Sequence, residues 1–418
     1  MTDPDPALLA DFRRTFAGLA AIGRDPGGEG GAGWRRFAWT GEDRAARAWF
    51  ERQAAERGLA AERDRNGNLW AWWGEPAPGS AIVLGSHLDT VAGGGAYDGA
   101  LGVVAGFVAL GELRRRGVTP SRPVAVAAFA DEEGGRFGLP TFGSRLLAGA
   151  LDPEAALART DAGGTTLAEA VAADGLDPGG LGPDPDRLAA LAAVVELHVE
   201  QGRALGDLDV DAPVAVGAAI WPHGRWRLGL RGEANHAGTT RLADRRDPML
   251  PLARAVLAAR DLAAEAGAVA TVGRVVVDPN GTNSVPAAVA AWLDARAPDD
   301  ATLDRLVGAW REEVELAAAA HGVAASLDAE SRSAAVAFDG GLRATLAGAL
   351  GAIGLPAPEL PTAAGHDAGA LAAAVPAGML FVRNPTGASH SPAESATDED
   401  CALGCAALAA VVEALACR

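Results

Sequence analysis

The chain has 418 residues, 49% of them hydrophobic, enough for two or three domains with apolar cores. A formal net charge of -18 argues against nucleic acid or an anionic membrane surface as a partner. Every one of the 36 basic residues is arginine, which excludes lysine Schiff-base chemistry and a phosphate-loop lysine.

The opening residues (Met1-Thr2-Asp3-Pro4-Asp5) lack the basic start of a secretory signal, so a cytoplasmic protein is expected. Residues 27–33 are glycine-rich but follow no strand, and read as a flexible loop rather than a dinucleotide fingerprint. Residues 81–84 read as a strand ending just before His87. The apolar run 100–110 is too short to span a bilayer and is closed by Glu112 and Arg114, so a buried helix is predicted. A second strand, 123–129, stops before Asp131-Glu132-Glu133; a third, 191–197, runs into His198. A fourth, 379–382, leads into the loop that carries His390. Strands alternating with helices predict an α/β fold: a mostly parallel mixed sheet flanked by helices. Each polar cluster then follows the carboxyl end of a strand, where open α/β sheets build their sites.

Near Pro213 the pattern changes. Strands are predicted at 226–230 and 271–277, and helices at 248–266 and 301–320. This is a compact α+β unit inserted into the first domain, since His390 lies beyond it. The expected division is 1–212 and 329–418 for the catalytic domain, and 213–328 for the insert. Cys401, Cys405 and Cys417 show no CxxC spacing, and Cys401 and Cys405, one helical turn apart, read as helix packing.

His87, Asp98, the pair Glu132 and Glu133, His198 and His390 amount to a full ligand set for two divalent metals. Neutral imidazoles with carboxylates and no nearby thiolate suit zinc, manganese, cobalt or nickel. Asp89, two residues after His87 in an extended segment, is placed to accept the second imidazole N–H. Asp98 offers two oxygens and suits a bridge between the metals. Only one of Glu132 and Glu133 can reach the metals from a single ligand arm; the other is free to take a proton from water. His223 and His321 have no such surroundings and read as structural or surface residues.

The runs GSHLDTV, DEEGGRFG, ELHVEQG, NHAGTT, GTNSVP, GHDA and SHSPAE are spread along the chain from Gly85 to Glu394. In them the sequence resembles the hydantoinase/carbamoylase-type amidohydrolases: N-carbamoyl-L-amino-acid hydrolases, allantoate amidohydrolases and β-ureidopropionases. The resemblance implies one metal on His87, Asp98 and His198, a second on Asp98, Glu133 and His390, and Glu132 as the base. It implies substrate contacts from Gln201, His236, Asn283, Arg296 and Gly365, and, as in some members, from Arg225. His236 would polarise the scissile carbonyl or stabilise the oxyanion, and Arg296 would clamp a carboxylate as a fork. His366 and Asp367 stay open between shaping the pocket and a structural role. The insert becomes a lid and dimerisation domain, and the substrate a small anionic ureido compound. Arg383-Asn384-Pro385-Thr386 departs from the bulkier polar residues of relatives and bears on the substrate side. A dipeptidase or aminoacylase on the same scaffold, or a metal-binding protein without catalysis, are the competing readings.

Overall fold

The structure, a computed structural model, describes residues 3–28 and 31–417. The chain divides into two compact units, Met1–Ala218 with Ala337–Arg418, and Ala219–Val336.

The larger unit is built on a mixed sheet. Its four central strands run parallel in the order Val124–Phe129, Ala81–His87, Leu191–Val199, Ala377–Val382. Leu69–Trp73 and Ala60–Arg63 extend one side, and Val214–Ile220 the other, all antiparallel to their neighbours. Side chains alternate between two cores. Ile82, Leu84, Val124, Val126, Val195 and Leu197 face one of them. Val83, Ala125, Ala127, Phe129 and Val194 face the other, with Trp70, Trp72 and Leu371. Both faces are covered, so the strands appear in sequence as unbroken apolar runs.

Helix Ala100–Arg115 is buried on nearly all sides against the sheet and helices Asp398–Ala416 and Pro6–Ala20. Its polar end, Arg114-Arg115-Arg116, reaches solvent and complements the helix dipole. Among the described residues no helix is long and apolar enough to cross a membrane.

The smaller unit is a four-stranded antiparallel sheet in the order Val269–Asp278, Ala288–Arg296, His223–Arg231, Ala324–Ser333. Helices Met249–Glu265 and Asp300–Ala320 cover one face: Leu252, Ala255, Leu303, Leu306 and Trp310 pack on Trp226, Leu228, Leu230 and Leu293. Burial along His223–Arg231 accordingly alternates with period two.

The divide between units falls at 218/219 and 336/337 rather than at 213 and 328. Val214–Ile220 pairs with Ala377–Val382 and so stays with the larger sheet, while Ala324–Ser333 completes the smaller one beside His223–Arg231. The glycine-rich segment also differs from expectation. Arg24–Gly28 and Gly31–Trp34 form an antiparallel ribbon, and residues 29 and 30 of the predicted loop lie outside the described residues. Trp34 pins the ribbon: its backbone pairs with Gly94 and its indole donates to the Ala20 carbonyl at 2.8 Å.

Candidate metal centre

His87 ends strand Ala81–His87, and Glu132 and Glu133 follow Val124–Phe129. His198 lies at the end of Leu191–Val199, and Ala377–Val382 feeds the loop of His390. Parallel pairing puts these four carboxyl ends along one edge of the sheet. Asp98 approaches from the turn before helix Ala100–Arg115. That turn requires a glycine: Gly99 has φ +62°, and a side chain there would overlap the His87 ring.

Asp98 is the hub. Its Oδ1 lies 3.2 Å from His198 Nε2 and 3.5 Å from His87 Nε2. Its Oδ2 lies 3.5 Å from His390 Nε2, which is in turn 3.3 Å from Glu133 Oε2. Two trios of donors result, His87–Asp98–His198 and Asp98–Glu133–His390, each with its ligand atoms within 4.8 Å of one another. His198 Nδ1 donates to the Val199 carbonyl at 2.8 Å, so that Nε2, which faces Asp98, is the lone-pair nitrogen when the ring is neutral. His87 Nδ1 is 3.1 Å from the Asp89 carbonyl and 3.6 Å from its carboxylate. The Asp89 carboxylate also accepts the backbone N–H groups of Glu132 (3.1 Å) and Glu133 (3.0 Å), which aims the acidic pair. Glu132 Oε2 sits 3.8 Å from His87 Nε2.

The donor set fits a pair of divalent cations. Three imidazoles of borderline hardness and two harder carboxylates surround two positions, and among the described residues the buried Glu133 Oε1 has no hydrogen-bond partner. Burial, helped by Asp367 and Glu133 and opposed by His87, raises the Glu132 carboxyl well above the usual range. Burial and then Asp98 push Glu133 up to about 8. Burial also works against charge on His87 and Asp98, but hydrogen bonding prevails. Asp89 and Asp98 hold the His87 imidazole well above its ordinary value, and His198 and His87 hold Asp98 well below its own.

A third trio, Glu196–His198–His366, also lies within 4.8 Å. Glu196 is already committed to Ser86 Oγ (2.6 Å) and the Ala368 N–H (2.7 Å), so it acts as scaffolding. His366 packs edge-on against His198 with ring centroids 4.6 Å apart, and Asp367 accepts from Ser144 Oγ at 2.5 Å. Gln201 Nε2 donates to Asp98 Oδ2 at 3.3 Å, and its Oε1 meets Ser389. Gly365 is exposed just before His366.

Of the remaining sequence-predicted residues, four belong to the smaller unit. His236 Nδ1 accepts the N–H groups of Gly238 (2.9 Å) and Thr239 (3.2 Å), so its Nε2 carries the proton when the ring is neutral. Asn283 adjoins it, its carbonyl accepting from Ala237 at 3.0 Å. Arg225 and Arg296 both contact Asp294, at 3.2 and 3.1 Å, on the open face of the sheet.

Sequence reasoning missed two residues of the larger unit. Asn384 is fully buried and ties the His390 loop to the Glu200 carbonyl (3.0 Å) and the Ala388 carbonyl (2.8 Å). Its only signal was its place in the segment that departs from relatives. Glu394 braces the Asp98 turn; it stands in the SHSPAE run, yet nothing there marks it.

Residues 83–414 match the model of the peptidase family M20/M25/M40. The chain is 37% identical to an N-carbamoyl-L-amino acid amidohydrolase of Geobacillus stearothermophilus, over 92% of this chain and 93% of that one. It is 32% identical to the allantoate amidohydrolase of Escherichia coli K12, over 98% and 99%. In three dimensions it is similar to an amidase of the hydantoinase/carbamoylase family from Burkholderia multivorans: TM-score 0.86, 30% identity, 100% and 99% coverage.

Proposed function

The chain belongs to the peptidase family M20/M25/M40 and groups with the hydantoinase/carbamoylase amidases, and on that premise we propose that it hydrolyses the ureido C–N bond of a small carboxylate and releases ammonia. The observation that carries this reading is Asp98, whose two oxygens face two different donor trios, with Glu132 beside one of them. N-carbamoyl-L-amino acids and allantoate are the substrates to test first, as the named substrates of the relatives.

His87, Asp98 and His198 would hold one cation, and Asp98, Glu133 and His390 the other; zinc or manganese is the first choice, cobalt or nickel the next. When bound, the two ions supply Lewis acidity toward the ureido carbonyl and toward water. Glu132 takes the proton of the attacking water and passes it to the departing nitrogen, which leaves as ammonia; the carbamate that remains loses carbon dioxide. Its position suits Glu132 to this work: its Oε2 sits 3.8 Å from His87 Nε2, beside the His87–Asp98–His198 trio. His236 is assigned the oxyanion and Arg296 the substrate carboxylate, with Gln201, Asn283, Gly365 and Arg225 as further substrate contacts. Arg296 is suited to its role because Asp294 holds the guanidinium in place.

The smaller unit is assigned lid and dimerisation roles. Leu250, Val256 and Leu257 on helix Met249–Glu265 and Val275 and Val276 on the neighbouring edge strand are exposed apolar side chains, a surface suited to a second copy of the chain. Sedimentation should give twice the chain mass, and the Leu257→Arg variant half of that. The compartment is taken as the cytoplasm. The function is tested by ammonia release over N-carbamoyl-L-amino acids, allantoate and β-ureidopropionate with zinc or manganese added. Release of an amino acid from a dipeptide or N-acyl substrate, without ammonia from any ureido compound, contradicts it.

A further inference from the structure

Glu394 is buried, and its Oε1 accepts the backbone N–H groups of Tyr97 (2.9 Å) and Asp98 (3.0 Å). The contact is built on both sides. Gly95 lies so close that a Cβ there would overlap the Glu394 carboxylate. Within its own loop, the Glu394 N–H donates to the Ser391 carbonyl at 3.0 Å, and Thr386 Oγ1 donates to the Ala393 carbonyl at 3.0 Å. One carboxylate thus joins the turn that presents Asp98 to the loop that presents His390.

The two donor trios do not depend on this brace equally. His87 and His198 are buried and sit on paired strands of the sheet. His390 is exposed, on a loop, with a left-handed φ of +53°. Glu394 stands behind two of the three ligands of the Asp98–Glu133–His390 position but only one of the three at His87–Asp98–His198. We infer that Glu394 is a positioning residue that sets the occupancy of the second cation position and leaves the first largely to the sheet. This rests on the two-cation reading proposed above.

The test is the metal content of the purified full-length chain, by elemental analysis after removal of loose metal, with zinc affinity measured by competition with a chelator. The wild-type chain should hold two zinc ions. Glu394→Ala should hold one, its second zinc bound about 10- to 100-fold more weakly, the range for lost outer-sphere support. Glu394→Gln, which keeps an acceptor for both N–H groups, should recover most of the second site. Gly95→Ala, which crowds the carboxylate while leaving Glu394 in place, should repeat the loss if the alanine variant proves poorly folded. A merely structural Glu394 would weaken both sites together, and that result overturns the inference; so does an alanine variant with two zinc ions at wild-type affinity. A wild-type chain that binds no zinc or manganese overturns the two-cation reading itself, and this inference with it.

Discussion

Replacing Asp89 by asparagine probes the geometry that separates the roles of Glu132 and Glu133. The Asp89 carboxylate accepts the backbone N–H groups of both residues, at 3.1 and 3.0 Å. Asparagine keeps one oxygen and turns an NH2 toward the other N–H, so one of the two bonds must be lost. A hydrogen bond to a charged acceptor contributes about 1.5–3 kcal/mol. If that loss falls on the aim of Glu132, kcat drops roughly 10- to 150-fold. The assay is ammonia release at saturating substrate and metal, with metal content and melting temperature measured on the same sample. Both metals should remain, since Asp89 is not among the ligands of either trio and its backbone carbonyl still meets His87 Nδ1 at 3.1 Å. A kcat indistinguishable from wild type refutes the reasoning, as does a loss explained wholly by missing metal.

Glu132→Gln should lower kcat by about 10²–10⁴-fold, the usual contribution of a positioned base, with two metals retained; intact turnover removes Glu132 from that role. Arg296→Lys, which replaces a planar fork by a point charge, should raise KM about tenfold, or about 1.4 kcal/mol, with little change in kcat; an unchanged KM for every carboxylate substrate counts against the clamp. Asp43 gives a pH test. Burial pushes its carboxyl up to about 6 despite Arg47. Its folded value therefore lies above its unfolded one, so the stability it adds is complete below about pH 4 and is lost as pH rises through about 6. The difference in unfolding free energy between wild type and Asp43→Asn should shift by up to about 3 kcal/mol across that window, and a flat difference in denaturant titrations at several pH values refutes it.

Most of the candidate metal-binding residues were legible in the sequence because they follow an apolar run. Strands buried on both faces show as runs such as PVAVAAF, and the polar residue that ends the run marks the edge of the sheet. His87, Glu132, Glu133 and His198 stand at such places, and Asp98 in a turn set by Gly99. The limits of the inserted unit were less legible. Val214–Ile220 reads as one more apolar strand, and only its pairing with a strand far along the chain assigns it to the larger sheet. Glu394 and Asn384 could not be found from pattern, because what distinguishes them is a bond to a backbone group nearly three hundred residues away in one case and to Glu200 in the other. Asp89 was legible as a partner of His87, but its hold on the acidic pair depends on two strands lying side by side.

The most direct measurement is anomalous scattering from crystals grown with zinc or manganese. Two peaks are expected on opposite sides of the Asp98 carboxylate, one within coordinating distance of His87 and His198, the other of Glu133 and His390. A single peak, or metal bound anywhere else in the chain, contradicts the shared-carboxylate centre and the hydrolysis derived from it.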